Sequence, residues 1–158
     1  MKYIEAINEY KPKNEEKTIF IAGGISGTKK WQPELVEMLK NENITIFNPR
    51  RKYYKDSEEA AQEQIAWECK YILKVDAVSF WFPKETLCPI TLYELGKISA
   101  GNQKIFIGLD PEYKRKLDVE CQTRLVRPDV QIVYSMEDLA KQIKRYFGED
   151  APKKPEVS

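Results

Sequence analysis

A chain of 158 residues with 26 basic against 25 acidic side chains carries a net charge of only +1 and has no histidine. That length supplies one domain with a sizeable core, and the balanced charge gives no field for a nucleic-acid polymer or a membrane surface. The missing histidine excludes Ser-His-Asp chemistry and a histidine-ligated metal, leaving acid–base work to carboxylates, tyrosines, cysteines or water.

Residues 1–17 are polar after a short apolar start and read as an N-terminal arm or an edge strand. Thr18 to Ala22 is an apolar run closed by Gly23-Gly24, the pattern of a buried central strand. Pro33 opens a helix to about Asn41. Ile44 to Phe47 is the next strand, ended by Asn48-Pro49. A long helix follows from Asp56 or Ser57 to about Lys74, with Ile65, Cys69, Ile72 and Leu73 as its apolar stripe. Ala77 to Phe82 is a third strand and Thr91 to Ala100 its helix. Lys104 to Leu109 is a fourth strand, Tyr113 to Leu125 a charged helix, and Gln131 to Tyr134 a fifth strand. Ser135, with Asp138 three residues on, caps a last helix ending near Gly148. The tail 149–158 is Pro- and Lys-rich and reads as disordered.

Strands alternating with helices imply a single α/β domain over 1–148, doubly wound and flavodoxin-like, with a five-stranded parallel sheet between helices. No apolar run is long enough to span a bilayer, and no signal segment is visible at the start. The three cysteines, Cys69, Cys88 and Cys121, are scattered without CxxC spacing. That fits a reducing cytoplasm and argues against a disulfide framework or a zinc site. No metal and no cofactor are expected.

The segment from Asp76 to Lys97 concentrates the chemistry. In an open α/β sheet, ligands bind beyond the carboxyl ends of the strands, where Glu94 opens a helix after a strand and a loop. A carboxylate on a first helical turn is held ionised by the helix dipole and can act as a nucleophile. The same residues also read as a capping box, with Thr91 as cap and Glu94 reaching back to it. Gly23, Gly24 and Ser26 offer backbone amides to a sugar or phosphate, or simply make a tight turn. Arg50, after a strand end, is placed for a phosphate or for solvent. Phe82 and Tyr93 flank the loop as candidate walls for a base.

IFIAGGIS (19–26), FNPRR (47–51), EQIAWE (63–68), DAVSFWFP (76–83) and PITLYELGK (89–97) resemble the nucleoside 2-deoxyribosyltransferase-like family over roughly residues 18 to 140. The resemblance implies a domain that exchanges or removes the base of a (deoxy)nucleoside or its 5′-monophosphate. It puts the glutamate that attacks C1′ at Glu94 and a second carboxylate, eight residues before Asp76, at Glu68. The transferases' base-contacting aspartate falls on Cys88, a departure, and Glu85 is the nearest carboxylate to stand in. Asp76 is a further candidate contact. A polar residue donated across a subunit interface has Asp118 as its nearest counterpart, so the resemblance also implies a homodimer or larger assembly.

Three functions follow from different classes. The first is N-glycosidic cleavage or base exchange through a covalent glycosyl-Glu94 intermediate. Within it, hydrolysis of a nucleoside or nucleoside 5′-monophosphate gains from the change at Cys88, because an acceptor base must lose a proton there. The second is a non-catalytic nucleotide-binding module. The third is a partner-binding α/β protein, which the cluster of acids and aromatics at one strand end disfavours.

Overall fold

The computed structural model describes residues 1–148; the tail expected to be disordered lies outside the described residues. In chain order the elements are β1 (Lys2–Glu5), β2 (Thr18–Gly23), α1 (Gln32–Met38), β3 (Thr45–Asn48), α2 (Glu58–Ile72), β4 (Ala77–Phe82), α3 (Pro89–Ser99), β5 (Lys104–Leu109), α4 (Lys116–Val126), β6 (Ile132–Val133) and α5 (Met136–Phe147). All six strands form one parallel sheet in the order β1-β3-β2-β4-β5-β6. The five expected strands keep the flavodoxin-like order among themselves. The N-terminal arm adds a sixth by pairing with β3 in the register Lys2↔Thr45 to Glu5↔Asn48.

The central strands are apolar throughout because helices cover both their faces. Phe20, Phe47, Phe80 and Phe82 point to one face, where α2, α3 and α4 supply Trp67, Tyr71, Ile98 and Val119. Ile19, Ile21, Ile46 and Phe106 point to the other, under Leu35 and Leu39 of α1 and Leu139 and Ile143 of α5. The alternation along each strand is the period-2 geometry of the pleat.

Helix α2 departs from its expected face. Ile72 is buried, but Ile65, Cys69 and Leu73 are exposed, and Trp67 and Tyr71 are the residues that dock. Aromatic area decides the rotation: Tyr71 stacks on Phe47 at 4.5 Å and 22°, and Trp67 lies 6.0 Å from Phe20. Trp67 Nε1 also donates to the Asn8 carbonyl (2.9 Å), tying down the arm. Helix α4 starts three residues later than expected, since Asp110 organises a turn before it by accepting from the Glu112 amide. Ser135 caps α5 as read, its Oγ accepting from the Asp138 amide.

Strand β2 has β3 on one side and β4 on the other, and the chain winds in opposite senses to reach them. The crevice at that switch point opens beyond Gly23 and Phe82. Asp76 lies at the other end of the sheet. Its Oδ2 accepts from both the amide and the hydroxyl of Thr18 (2.9 Å each), and its own amide donates back to Thr18 Oγ1. Asp76 therefore locks β2 to β4 rather than facing the crevice. Asp76→Ala should lower stability by roughly 1–3 kcal/mol, the loss of hydrogen bonds to a charged group. The urea midpoint would fall at unchanged slope; an unmoved midpoint would deny the lock.

Candidate active site

The crevice at the switch point is a cleft of about 650 Å³ whose lining includes both Glu68 and Glu94. Five segments meet there: the loop after β2, the segment after β3, one face of α2, the loop before α3 with Thr86 and Cys88, and the first two turns of α3. A second cavity of about 470 Å³ lies at the opposite end, between the arm and α2, and includes neither glutamate of the cleft.

The loop after β2 is shaped by packing. A Cβ on Gly23 would sit 2.3 Å from Trp31 Cζ2 and 2.6 Å from the Trp81 carbonyl oxygen. The Gly24 carbonyl accepts from Trp31 Nε1 (2.9 Å) and Thr28 Oγ1 (3.0 Å). Gly27 takes φ +72°, the region that favours glycine. Gly23, Gly24 and exposed Ser26 all line the cleft, but steric demand already accounts for the two glycines that end β2. Arg50 lines it too. Its guanidinium donates to the Lys29 carbonyl and Gln32 Oε1 (3.2 Å each), bracing that loop against the end of β3.

Helix α3 begins earlier than the capping signal suggested. Pro89 is its first residue, and Cys88 precedes it in a left-handed conformation at φ 51° with no side-chain cap. Thr91 is thus the third helical residue, the expected capping box does not form, and Glu94 lies in the second turn. The dipole's influence fades within one turn. The outcome is the reverse of the sequence expectation: Glu94 is 9% exposed and its carboxyl is pushed up to about 7. Burial is the main cause, the neighbouring Glu68 carboxyl adds to it, and Lys97 offsets part. Glu68 is raised as well, by burial, against a hydrogen bond from Gln64 and the charge of Lys97. Burial thus raises both carboxyls and the Glu68 charge raises Glu94 further, so Glu94 keeps its proton towards neutral pH.

Gln64, absent from the sequence candidates, fixes one member of that pair. Its Nε2 donates to Glu68 Oε1 (2.7 Å) and to the Pro49 carbonyl (2.6 Å), while Oε1 is buried and unpartnered among the described residues. The i, i+4 spacing of Gln64 and Glu68 inside EQIAWE was the available signal. Arg51 and Thr91 also line the cleft and were not among those candidates.

The other candidates fall elsewhere, Cys88 apart. Glu85 is exposed and does not line the cleft. Phe82 is fully buried with its ring 5.2 Å from Tyr113, a core contact. Tyr113 in turn donates to the Leu87 carbonyl (2.7 Å) and so holds the loop that leads into α3. Tyr93 is 71% exposed, with Lys97 over its ring. Asp118 pairs with Arg115 at 3.1 Å on the surface of α4. Cys88 does line the cleft, but burial pushes its thiol up to about 11, so it is neutral there. Among the described residues no group of three or more His, Cys, Asp or Glu side chains could hold a metal, and no helix is long and apolar enough to cross a membrane.

Burying Glu94 has a measurable cost. Between the ordinary carboxyl value of 4.5 and about 7, the folded state holds a proton that the unfolded chain releases. Stability is therefore full below 4.5 and falls as pH rises through about 7. Glu94→Gln removes that ionisation and should gain on the order of 2–3 kcal/mol over wild type at pH 8, and little at pH 4. Equal melting temperatures of the two proteins at pH 8 would contradict the buried-carboxyl geometry.

The nucleoside 2-deoxyribosyltransferase-like family matches residues 16–113, a span that includes every segment of the cleft. No curated protein matches the chain. Among solved structures, a crystal structure of a conserved protein from Enterococcus faecalis V583 superposes with a TM-score of 0.58 at 17% identity. It covers 82% of this chain and 98% of its own, a likeness that speaks for the fold alone. With 98 of 158 residues matched and the acid pair inside them, the chain belongs to the nucleoside 2-deoxyribosyltransferase-like family.

Proposed function

We propose that the protein cleaves the N-glycosidic bond of a nucleoside through a glycosyl-Glu94 intermediate. The observation that carries this reading is the pair Glu68–Glu94 lining the cleft at the switch point, Glu94 buried and Glu68 half-buried, both with raised carboxyls. Such a pair supplies both functions of retaining glycoside chemistry. Glu94 as carboxylate attacks C1′, the C1′–N bond breaks, and its electron pair leaves with the base. Glu68 supplies the proton that the departing base takes up. Water then gives that proton back to Glu68 as its oxygen attacks C1′ and frees Glu94. In the free protein burial favours the proton on Glu94, so substrate binding moves it within the pair.

Base exchange follows the same first step with a second base in place of water. The neutral Cys88 thiol favours water, because it offers an incoming base no carboxylate to take its proton. Glu85, exposed and outside the cleft, does not fill that place. A pocket that only binds gains nothing from a buried and a half-buried carboxyl side by side, which weighs against a non-catalytic module.

A 2′-fluoro-arabino nucleoside should trap the intermediate, since fluorine destabilises the cationic transition state of the second step. Intact mass should rise by one fluorinated sugar on the peptide containing Glu94. Glu94→Gln should abolish both adduct and turnover, a loss of about a thousandfold or more. Near-normal turnover in that variant would refute the role given to Glu94.

The same reading makes the protein a homo-oligomer. Support comes from the face that α2 and α3 leave uncovered beside the cleft: Ile65, Cys69 and Leu73 on one helix, Ile90 and Tyr93 on the other. Exposed apolar residues on two helices that meet at one cleft are a candidate contact surface. Light scattering at micromolar concentration should give at least a dimer, and Leu73→Glu should dissociate it. A fully active monomer would reject the assembly and leave Asp118 without a role in a shared site.

A further inference from the structure

The cleft is electrically divided. Glu68 and Glu94 stand on the α2 and α3 side, while the segments after β2 and β3 contribute Lys30, Arg50, Arg51 and Lys52. No acidic side chain lies among the lining residues of those two segments. Of the four cations, Arg50 is committed to the loop it braces.

Arg51 is held differently. Its side chain is only 14% exposed, and its guanidinium carbon lies 5.5 Å from the centre of the Tyr54 ring. Its NH2 stands 3.9 Å from Glu63 Oε2, a carboxylate that is itself 56% exposed. Its NH1 is buried with no hydrogen-bond partner among the described residues. A covered N–H on a charged group is costly unless an acceptor meets it. The planar guanidinium fork matches two oxygens of a phosphate better than any other side chain does.

We propose that Arg51, flanked by Lys30 and Lys52, forms a subsite for a phosphate monoester, so that the cleft takes a nucleoside 5′-monophosphate in preference to the free nucleoside. That the rest of the ligand is a nucleoside rests on the function proposed above; the anion subsite does not. Three cations together, Arg51 with its unpartnered NH1 and the two lysines, suit a doubly charged phosphate. A cleft of about 650 Å³ is the size of a small-molecule site, and the net charge of +1 gives no wider field for a polymer. Seating the phosphate at the basic end also keeps its charge away from the acid pair.

The test is calorimetric binding to the Glu94→Gln protein, which isolates recognition from turnover. The 5′-monophosphate should bind about tenfold or more tightly than the matching nucleoside, and inorganic phosphate should compete with it. Arg51→Met should remove that advantage and leave the nucleoside affinity unchanged. Arg51→Lys keeps the charge without the fork and should retain part of the advantage, which keeps the question open to test if Arg51→Met fails to fold. Equal binding of nucleoside and monophosphate, or an equal loss for both in Arg51→Met, would overturn the subsite. If ribose 5-phosphate binds through Arg51 while no nucleoside or nucleotide does, the subsite stands and the nucleoside reading falls.

Discussion

The pairing of β2 with β4 is the constraint on which the rest depends. Its register runs from Ile19↔Ala77 to Gly23↔Trp81, clamped at one end by Asp76 and Thr18 and opening at the other into the cleft. The winding reverses between these strands, so their carboxyl ends are left uncovered by a crossover helix. The backbone after Gly23 must then pass close to Trp31 and Trp81, which is why no side chain is tolerated there. Both segments that bring acids to the cleft are placed by the same sheet. Helix α2 docks through Trp67 and Tyr71 on the β3 and β2 aromatics, and α3 follows the end of β4.

Burial of the Glu94 carboxyl works against the fold. Glu94 is covered on the same helix that buries Leu95 and Ile98, so the packing that secures α3 also strips water from the carboxyl. Nothing in that helix supplies a compensating hydrogen bond among the described residues, and the opposing charge that reaches both acids is Lys97, which is exposed. Structural carboxylates are arranged the other way. Glu16, in the arm, accepts from Tyr10, Lys2 and Thr45 and is held down to about 2. The contrast between Glu16 and Glu94 separates an acid whose partners hold it ionised from one that burial holds protonated, the kind of perturbed group on which the proposed function rests.

Where the sequence was legible, the physics was local and strong. The runs 77–82 and 104–109 read as strands with the ends they have, because a nearly continuous apolar stretch fits a buried parallel strand, Lys104 alone standing half-buried at the start of β5. Ser135 with Asp138 announced the start of α5 through one short-range hydrogen bond. The start of α3 was misread because two N-terminal signals overlap in CPITLYE. Thr91 and Glu94 have capping-box spacing, yet Pro89 suits a first helical position and Cys88 takes a conformation that cysteine rarely adopts. The face of α2 was misread because aliphatic periodicity pointed to Ile65, Cys69 and Leu73, whereas ring area carries more burial energy and chose Trp67 and Tyr71. Glu68 and Glu94 were legible as residues. Their coupling and raised titration were not, since those arise only when two helices distant in sequence share a cleft.

The direction of the pKa shifts bears on how such a pair would act. A carboxylate in a dry site is destabilised in the ground state for want of a partner. In the function proposed for this cleft, that partner appears only as the reaction proceeds, because positive charge grows on the sugar as the base leaves. The interaction is therefore stronger in the transition state than in the ground state, the condition under which binding energy accelerates a step. A solvated Glu94, paired with a lysine or capped by backbone amides, would lose that difference, being equally satisfied before and during the reaction. The absence of a capping box at Glu94 and the weak help from an exposed Lys97 are features of one design. The acid is left in need of a cation, and in the proposed reaction the sugar would supply one at C1′.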